Sequence, residues 1–207
     1  MERPILGIHH VTAIATDPQR NVDFYAGTLG LRLVKRTVNF DDPGTYHFYF
    51  GDERGTPGTL ITFFPWPLAV RGSRGAGQAT ATAFSVPAGS FGWWVDRLRA
   101  AGAVMEDPGE RLGEEVVAVL DPDGLRLEIV GDAAAGTLPP WEGGPVPAEH
   151  AVRRLHSVTL SIQGFEKTAD LLTTGLGFRA AGEAGSRFRF EVGEGGPGAR
   201  VDVLSVP

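Results

Sequence analysis

Two adjacent histidines, His9 and His10, stand in the run Gly7-Ile8-His9-His10-Val11-Thr12-Ala13-Ile14. Imidazole both moves protons near neutral pH and ligates transition metals, so the surroundings of these two rings decide which chemistry is open to them. The run alternates polar and apolar residues and is rich in β-branched side chains, which predicts a half-buried strand. Neighbours on a strand project to opposite faces. His10 therefore groups with Ile8, Thr12 and Ile14, and His9 with Val11, Ala13 and Ala15. An imidazole flanked by Ile8 and Ile14 faces an apolar interior, where it is costly unless its polar atoms are engaged. Either a hydrogen-bond partner satisfies it or a metal ligates it.

Composition narrows the classes of function. The chain has 207 residues with no cysteine, which excludes disulfides, thiolate ligands and a cysteine nucleophile. The length suits one large domain or two small ones. A 42% hydrophobic share and a mean hydropathy of -0.05 fit a globular chain with a sizeable core. No run approaches the roughly 18 apolar residues of a membrane span. A net charge of -6 and a pI near 5.4 argue against a nucleic-acid surface. Met1-Glu2-Arg3-Pro4 lacks the apolar stretch of a signal peptide, so a cytoplasmic location is expected. The 29 glycines and 15 prolines point to many turns between strands.

The elements that must position the histidines recur. After the first strand, Asp17 with Pro18 caps a helix, Val22, Tyr25, Ala26 and Leu29 give it helical spacing, and Gly30 stops it. Leu31–Asn39, Tyr46–Phe50 and Thr59–Phe64 follow as strands. A second pass gives the strand Ala79–Val86, a helix opening at Ser90 and ending near Gly102, and strands at Glu115–Leu120 and Leu125–Val130 around the turn Asp121-Pro122-Asp123-Gly124. A third gives Leu155–Ile162, a helix over Phe165–Thr174, Arg187–Val192 and Arg200–Val206. The expected class is α+β: three βαβββ units whose sheets curl into half-barrels with helices outside. Residues 1–132 form a first domain of two units, 7–66 and 78–132. Residues 133–152, rich in Gly, Pro and Ala, form a surface linker in which Trp141 pins part of the path, and 153–207 form an incomplete second domain. Such units work in pairs. Either a fourth is missing from these residues or a partner, such as a second copy in a homo-oligomer, supplies it.

The order resembles the vicinal oxygen chelate superfamily of glyoxalases, bleomycin-resistance proteins and extradiol dioxygenases. Leu6–Thr12, Asp23-Phe24-Tyr25, Leu33-Val34-Lys35-Arg36-Thr37, Tyr46-His47-Phe48-Tyr49-Phe50 and Gly55-Thr56-Pro57-Gly58-Thr59 resemble in particular the ring-cleaving dioxygenases that act on hydroquinones. So do Gly89-Ser90-Phe91-Gly92-Trp93-Trp94 and Leu155-His156-Ser157-Val158-Thr159-Leu160. The resemblance implies Fe(II), or sometimes Mn(II), held by two His and one Glu, with dioxygen as co-substrate and a small aromatic substrate. It places the first metal ligand at His10, and His9 and Thr12 at positions that orient the ligand or donate to bound oxygen. The other two ligands belong to the fourth unit, so these 207 residues by themselves are expected to show little or no activity. In that family the second and third units pair in one barrel, and the first pairs with the fourth.

Superposing the units sets His10 against Thr80 and Ser157. His156 then falls at the His9 position, pointing away from the cavity as a structural residue. The carboxylate slot holds Ile61, Glu128 and Asp202; Glu128 is expected to be structural, paired with Arg126 or Arg200. His47 reads equally as lining a cavity mouth or as packed. Lys35-Arg36 reads as a solvated edge, Trp93-Trp94 as helix-face core and Gly72–Gly77 as a loop. Two other functions compete: a glyoxalase-type metal enzyme using His10 and Glu128, and a metal-free protein that binds an aromatic ligand, as bleomycin-resistance proteins do.

Overall fold

A computed structural model describes residues 4–70 and 72–207. Met1–Arg3, read above for a leader, and Arg71 lie outside the described residues. The first strand is β1 (His10–Ala15). The Asp17 side chain accepts the Arg20 N–H at 2.8 Å, capping helix α1 (Pro18–Val22) with Pro18 in its first turn. The helix widens over Asp23–Thr28 into π-type turns, closed by the Leu29 N–H on the Phe24 carbonyl at 2.9 Å. Strands β2 (Arg32–Val38), β3 (Tyr46–Gly51) and β4 (Leu60–Pro65) complete a four-stranded sheet ordered β1-β4-β3-β2, with β1 and β4 parallel.

Then come β5 (Gln78–Pro87), α2 (Phe91–Ala100), β6 (Val104–Met105), β7 (Gly109–Arg111), β8 (Glu114–Leu120) and β9 (Arg126–Asp132). They are followed by β10 (Arg154–Gln163), α3 (Glu166–Asp170, continued by π-type turns over Leu171–Gly175), β11 (Arg179–Ala184), β12 (Arg187–Glu191) and β13 (Arg200–Val206). All nine of these strands form one open sheet ordered β11-β12-β13-β10-β5-β9-β8-β6, with β7 on β8. The join is the antiparallel pair β5–β10, in which Ser157 faces Ala83 and Thr159 faces Ala81. Thr80 and Ser157 thus lie on adjoining strands, as the expected pairing of the second and third segments requires.

Backbone pairing and core packing divide the chain differently. One hydrophobic cluster joins Phe50, Ile61 and Phe63 of the first sheet to Phe84, Leu127 and Ile129 of the second, with Tyr25 and Leu29 of the first helical segment and Trp94 and Leu98 of α2 in the same cluster. A second cluster, of Leu172, Phe190, Val201 and Val203, serves the last segment. Residues 133–152 are more than a surface connection. Ala135, Val146 and Ala151 are buried, Val146 occupies the space a Cβ on Gly30 (φ +70°) would need, and the Trp94 Nε1–H donates to the His150 carbonyl at 2.8 Å. Among the described residues no helix is long and apolar enough to cross a membrane.

Candidate functional site

Strand β1 packs one face on the core and leaves the other open. Val11 and Ala13 contact the large hydrophobic cluster and Ala15 is fully buried, whereas His10, Thr12 and Ile14 are exposed. Parity therefore groups His10 with Thr12 as expected, but the environment is the reverse of the expected apolar interior. Ile8 does not share this face: it packs on the core with Val11 and Ala13. The backbone just before the strand is irregular. Gly7, at φ +152°, passes so close to Gly198 that a Cβ would stand 2.5 Å from its carbonyl oxygen, and regular pairing begins only at His10.

The same irregularity brings the two histidines together. Their Nδ1 atoms are 3.0 Å apart and the rings meet edge to face, so the expected separation onto opposite faces does not hold. One nitrogen must donate and the other accept. With His10 donating through Nδ1, its Nε2 lone pair is presented outward, the tautomer a metal ligand needs. Partial burial first, and then His9, hold the His10 pKa below the ordinary histidine value, which keeps the ring neutral. Thr12 turns toward Thr62 on β4, with 2.9 Å between their hydroxyl oxygens.

Thr62, His47 and Tyr49 extend this polar face across the sheet. Thr62 is paired directly with Thr12 on one side and with Tyr49 on the other. His47 Nε2 lies 3.1 Å from Thr62 Oγ1, and His47 Nδ1 lies 2.9 Å from Tyr49 Oη. The ring lies against Phe64, 4.0 Å between centroids and tilted by 32°. His47 is thus neither simply packed nor merely at a mouth; it bridges two hydroxyls beside the histidine pair. Tyr49 and Thr62 were missed from sequence, although the spacing His47-x-Tyr49 on one strand would have placed those two rings on one face.

The donors present do not make a metal site by themselves. His10 offers one imidazole, His47 has both nitrogens engaged, and among the described residues no three His, Asp or Glu side chains converge on one point. The carboxylates that might have joined His10 lie on the nine-stranded sheet. Glu128 is fully buried and bidentate with Arg111, at 2.9 and 2.7 Å, with Arg126 farther off at 3.4 Å and Arg200 not among its partners. Asp202 is fully buried between Arg189, at 2.8 Å, and Arg187, at 3.2 Å. The pairing of His10 with Glu128 that a glyoxalase-type reading needs is therefore absent. His156 is fully buried, yet it does not point away from the interior. A bulge between Leu155 and Ser157 turns it inward, where Nε2 lies 2.7 Å from Arg200 and 3.1 Å from Glu114, and Nδ1 lies 3.0 Å from Ser157.

Comparison with known proteins bears on the family and the fold. The chain is 46% identical, over its whole length, to a Bacillus subtilis protein assigned as a ring-cleaving dioxygenase, MhqO, and covers 65% of that relative. It is 36% identical to the chlorohydroquinone/hydroquinone 1,2-dioxygenase of Sphingobium indicum, over 95% of this chain and 62% of the other. The chain thus spans less than two thirds of the length of either relative. A crystal structure of a Bacillus subtilis protein assigned as a dioxygenase superposes with a TM-score of 0.92 at 45% identity, covering all of this chain and 66% of that one. Glyoxalase I of Zea mays shares the fold alone, with a TM-score of 0.70 at 14% identity over 95% of this chain and 66% of its own. Residues 7–129 match one family over well beyond half of the chain, and this chain belongs to the Glyoxalase/Bleomycin resistance protein/Dioxygenase superfamily.

Proposed function

We propose that this chain carries the His10-bearing part of a dioxygenase that opens the ring of hydroquinone-like aromatics. One observation carries the reading: His10, with its Nε2 free to point outward, lies on an open sheet face beside hydroxyls and aromatic rings. The likeness to relatives named as ring-cleaving and hydroquinone dioxygenases supports it. In this reading His10 is a metal ligand, the metal is Fe(II) or Mn(II), and dioxygen is the co-substrate. Among the described residues no three metal-ligating side chains converge at His10, so in this reading further donors are brought to it by another part of the protein or by a second copy. His9 holds the His10 ring in its tautomer, and Thr12 faces the bound aromatic. The protein acts in the cytoplasm on a small molecule.

The test is oxygen uptake by the natural full-length protein, supplied with Fe(II) and given hydroquinone, alongside metal analysis. Stoichiometric iron and ring-opened product are expected. Tight binding of an aromatic without metal or oxygen uptake would instead make it a ligand-sequestering member of the superfamily.

A further inference from the structure

The hydroxyl and imidazole groups beside His10 form one unbroken chain of hydrogen bonds. Thr12 Oγ1 is 2.9 Å from Thr62 Oγ1, which is 3.1 Å from His47 Nε2, and His47 Nδ1 is 2.9 Å from Tyr49 Oη. Each hydroxyl has one proton, and a neutral imidazole has one donor and one acceptor nitrogen. With the proton of the buried Thr62 used within the chain, the four groups point the same way at any moment, in one of two directions. In the first, Thr12 donates to Thr62, Thr62 to His47 Nε2, and His47 Nδ1 to Tyr49. In the second, every donor and acceptor is exchanged. Thr62 is fully buried, Thr12 is exposed and Tyr49 is half-buried, so the chain starts on the open face, passes beneath it and ends at the partly exposed Tyr49.

We infer that Thr12, Thr62, His47 and Tyr49 are a proton relay that carries the phenolic proton of the aromatic substrate from the His10 face to solvent. The inference rests on the function proposed above. The substrate O–H bond breaks and its proton goes to Thr12. The Thr12 proton passes to Thr62, that of Thr62 to His47 Nε2, that of His47 Nδ1 to Tyr49, and that of Tyr49 to water. A phenolate remains on the protein, one proton has left, and the relay stands in its second orientation with no group changed in charge.

Two features suit His47 to this work. Phe64, at 4.0 Å, and Tyr49, at 4.2 Å between centroids, clamp the plane of its ring. The titratable groups that face it are His10 on β1, Lys35 on β2 and Tyr49 on β3. The Lys35 ammonium lies 5.4 Å from the Tyr49 ring centre. Partial burial, followed by the nearness of His10 and Lys35, disfavours the imidazolium, and only a neutral ring can accept on one nitrogen while donating from the other. His47 acts through Thr62 and Thr12, so it is a positioning and relay residue.

The experiment uses the natural full-length protein, loaded with Fe(II), and follows oxygen uptake with hydroquinone as pH is varied. For His47→Gln, whose amide cannot exchange tautomers, kcat is expected to fall roughly 100-fold or more, the range for losing a positioned proton-transfer group, with KM and iron content within about twofold. Thr62→Val should cost the same and Thr62→Ser should restore most of the rate. The double variant His47→Gln/Thr62→Val should be no slower than either single one, as for groups that work as a unit. Wild-type kcat across the pH range for His47→Gln, or a loss confined to KM or iron content, overturns the relay. If His47→Gln does not fold, the Val and Ser variants at Thr62 decide, and equal rates for those two overturn it. An inactive wild-type protein would instead refute the proposed function itself. In the 207-residue chain, nitrogen NMR of His47 near neutral pH should show a neutral ring; an imidazolium there also overturns the relay.

Discussion

On the four-stranded sheet, the face turned away from the hydrophobic core carries His10, Thr12, His47 and Tyr49, and much of it is open to solvent. On the nine-stranded sheet, the corresponding face carries Arg111, Glu114, Glu128, His156, Arg189, Arg200 and Asp202, locked in mutual ion pairs and hydrogen bonds. The order of strand, helix and strands is alike in the segments that build both, yet the side chains have parted. Where β1 presents His10, β5 and β10 present Thr80, Ser157 and Ser161, and Thr80 and Ser161 bond to each other at 2.7 Å. Charges removed from water must satisfy one another or cost several kcal/mol each, so the closed face is committed to its own partners. An imidazole nitrogen that can point outward is available only on the open face. The same framework thus carries one face open to solvent and one tied up in its own ion pairs.

The sharpest break in this contrast is His10→Ala in the natural full-length protein. Iron and ring-cleaving activity should vanish together while the melting temperature of the metal-free variant stays near that of metal-free wild type, because the exposed ring contributes little to packing; metal analysis, oxygen uptake and a thermal melt decide it. Retained iron would move the ligand elsewhere and erase the distinction between the faces.

The opposite signature is expected on the closed face. Asp202→Ala leaves Arg189 and Arg187 without their shared carboxylate in a buried setting, and removing one partner of a buried pair costs about 3–5 kcal/mol. A denaturant titration should show that loss. A change under about 1 kcal/mol would mean that the network contributes little to stability.

A smaller effect returns to the open face. His9→Ala should keep the iron and lower the rate by roughly 10–100-fold, the usual cost of removing a group that orients a ligand. Loss of the metal with His9→Ala and its retention with His10→Ala would reverse the two assignments.

The mildest perturbation is acid. Burial alone would raise the Glu114 pKa, but the adjacent His156 and Arg189 hold it well below the usual 4.5. Glu128 and Asp202 are likewise lowered: burial opposes ionisation, and hydrogen bonds from Arg111 and Arg189 more than offset it. A carboxylate with a depressed folded-state pKa binds protons more readily when unfolded, so stability is complete above the unfolded value near 4.5 and is lost as pH falls through the folded one. Denaturation midpoints should hold between about pH 5 and 7 and fall progressively below about pH 4.5. In Asp202→Ala that fall should be shallower, and an unchanged profile would remove Asp202 from the acid-sensitive set.

How much was legible from sequence differs between the two faces. Side-chain alternation, capping and glycine stops are local properties, so the strand at His10, the helix that Asp17 opens and Gly30 closes, and the grouping of His10 with Thr12 were all readable from the chain. The long strands of the second and third segments were readable for the same reason, as was the structural character of Glu128. Arg126, one of its two expected partners, does reach Glu128 at 3.4 Å, but the bidentate partner was not readable, because Arg111 sits on the three-residue β7, too short to show a period. Strand β11, exposed along its length and rich in small residues, carries no apolar alternation and went unseen.

Sequence by itself determined the grouping of side chains inside a regular strand, such as His10 with Thr12, because that follows from the two-residue period of an extended backbone; it misplaced Ile8, His9 and His156, which lie where the backbone is irregular. Only the tertiary structure decided which face is covered, because burial depends on what packs against a strand and not on the strand. It decided that His10 looks outward while Ile8 packs inward, because regular strand pairing begins only at His10. It decided that His156 turns into the charged interior, through a bulge no local pattern announces. And it decided that His47, fifteen residues from Thr62, completes a path to Thr12, because strand order, which is a long-range property, sets β3 beside β4 and β4 beside β1.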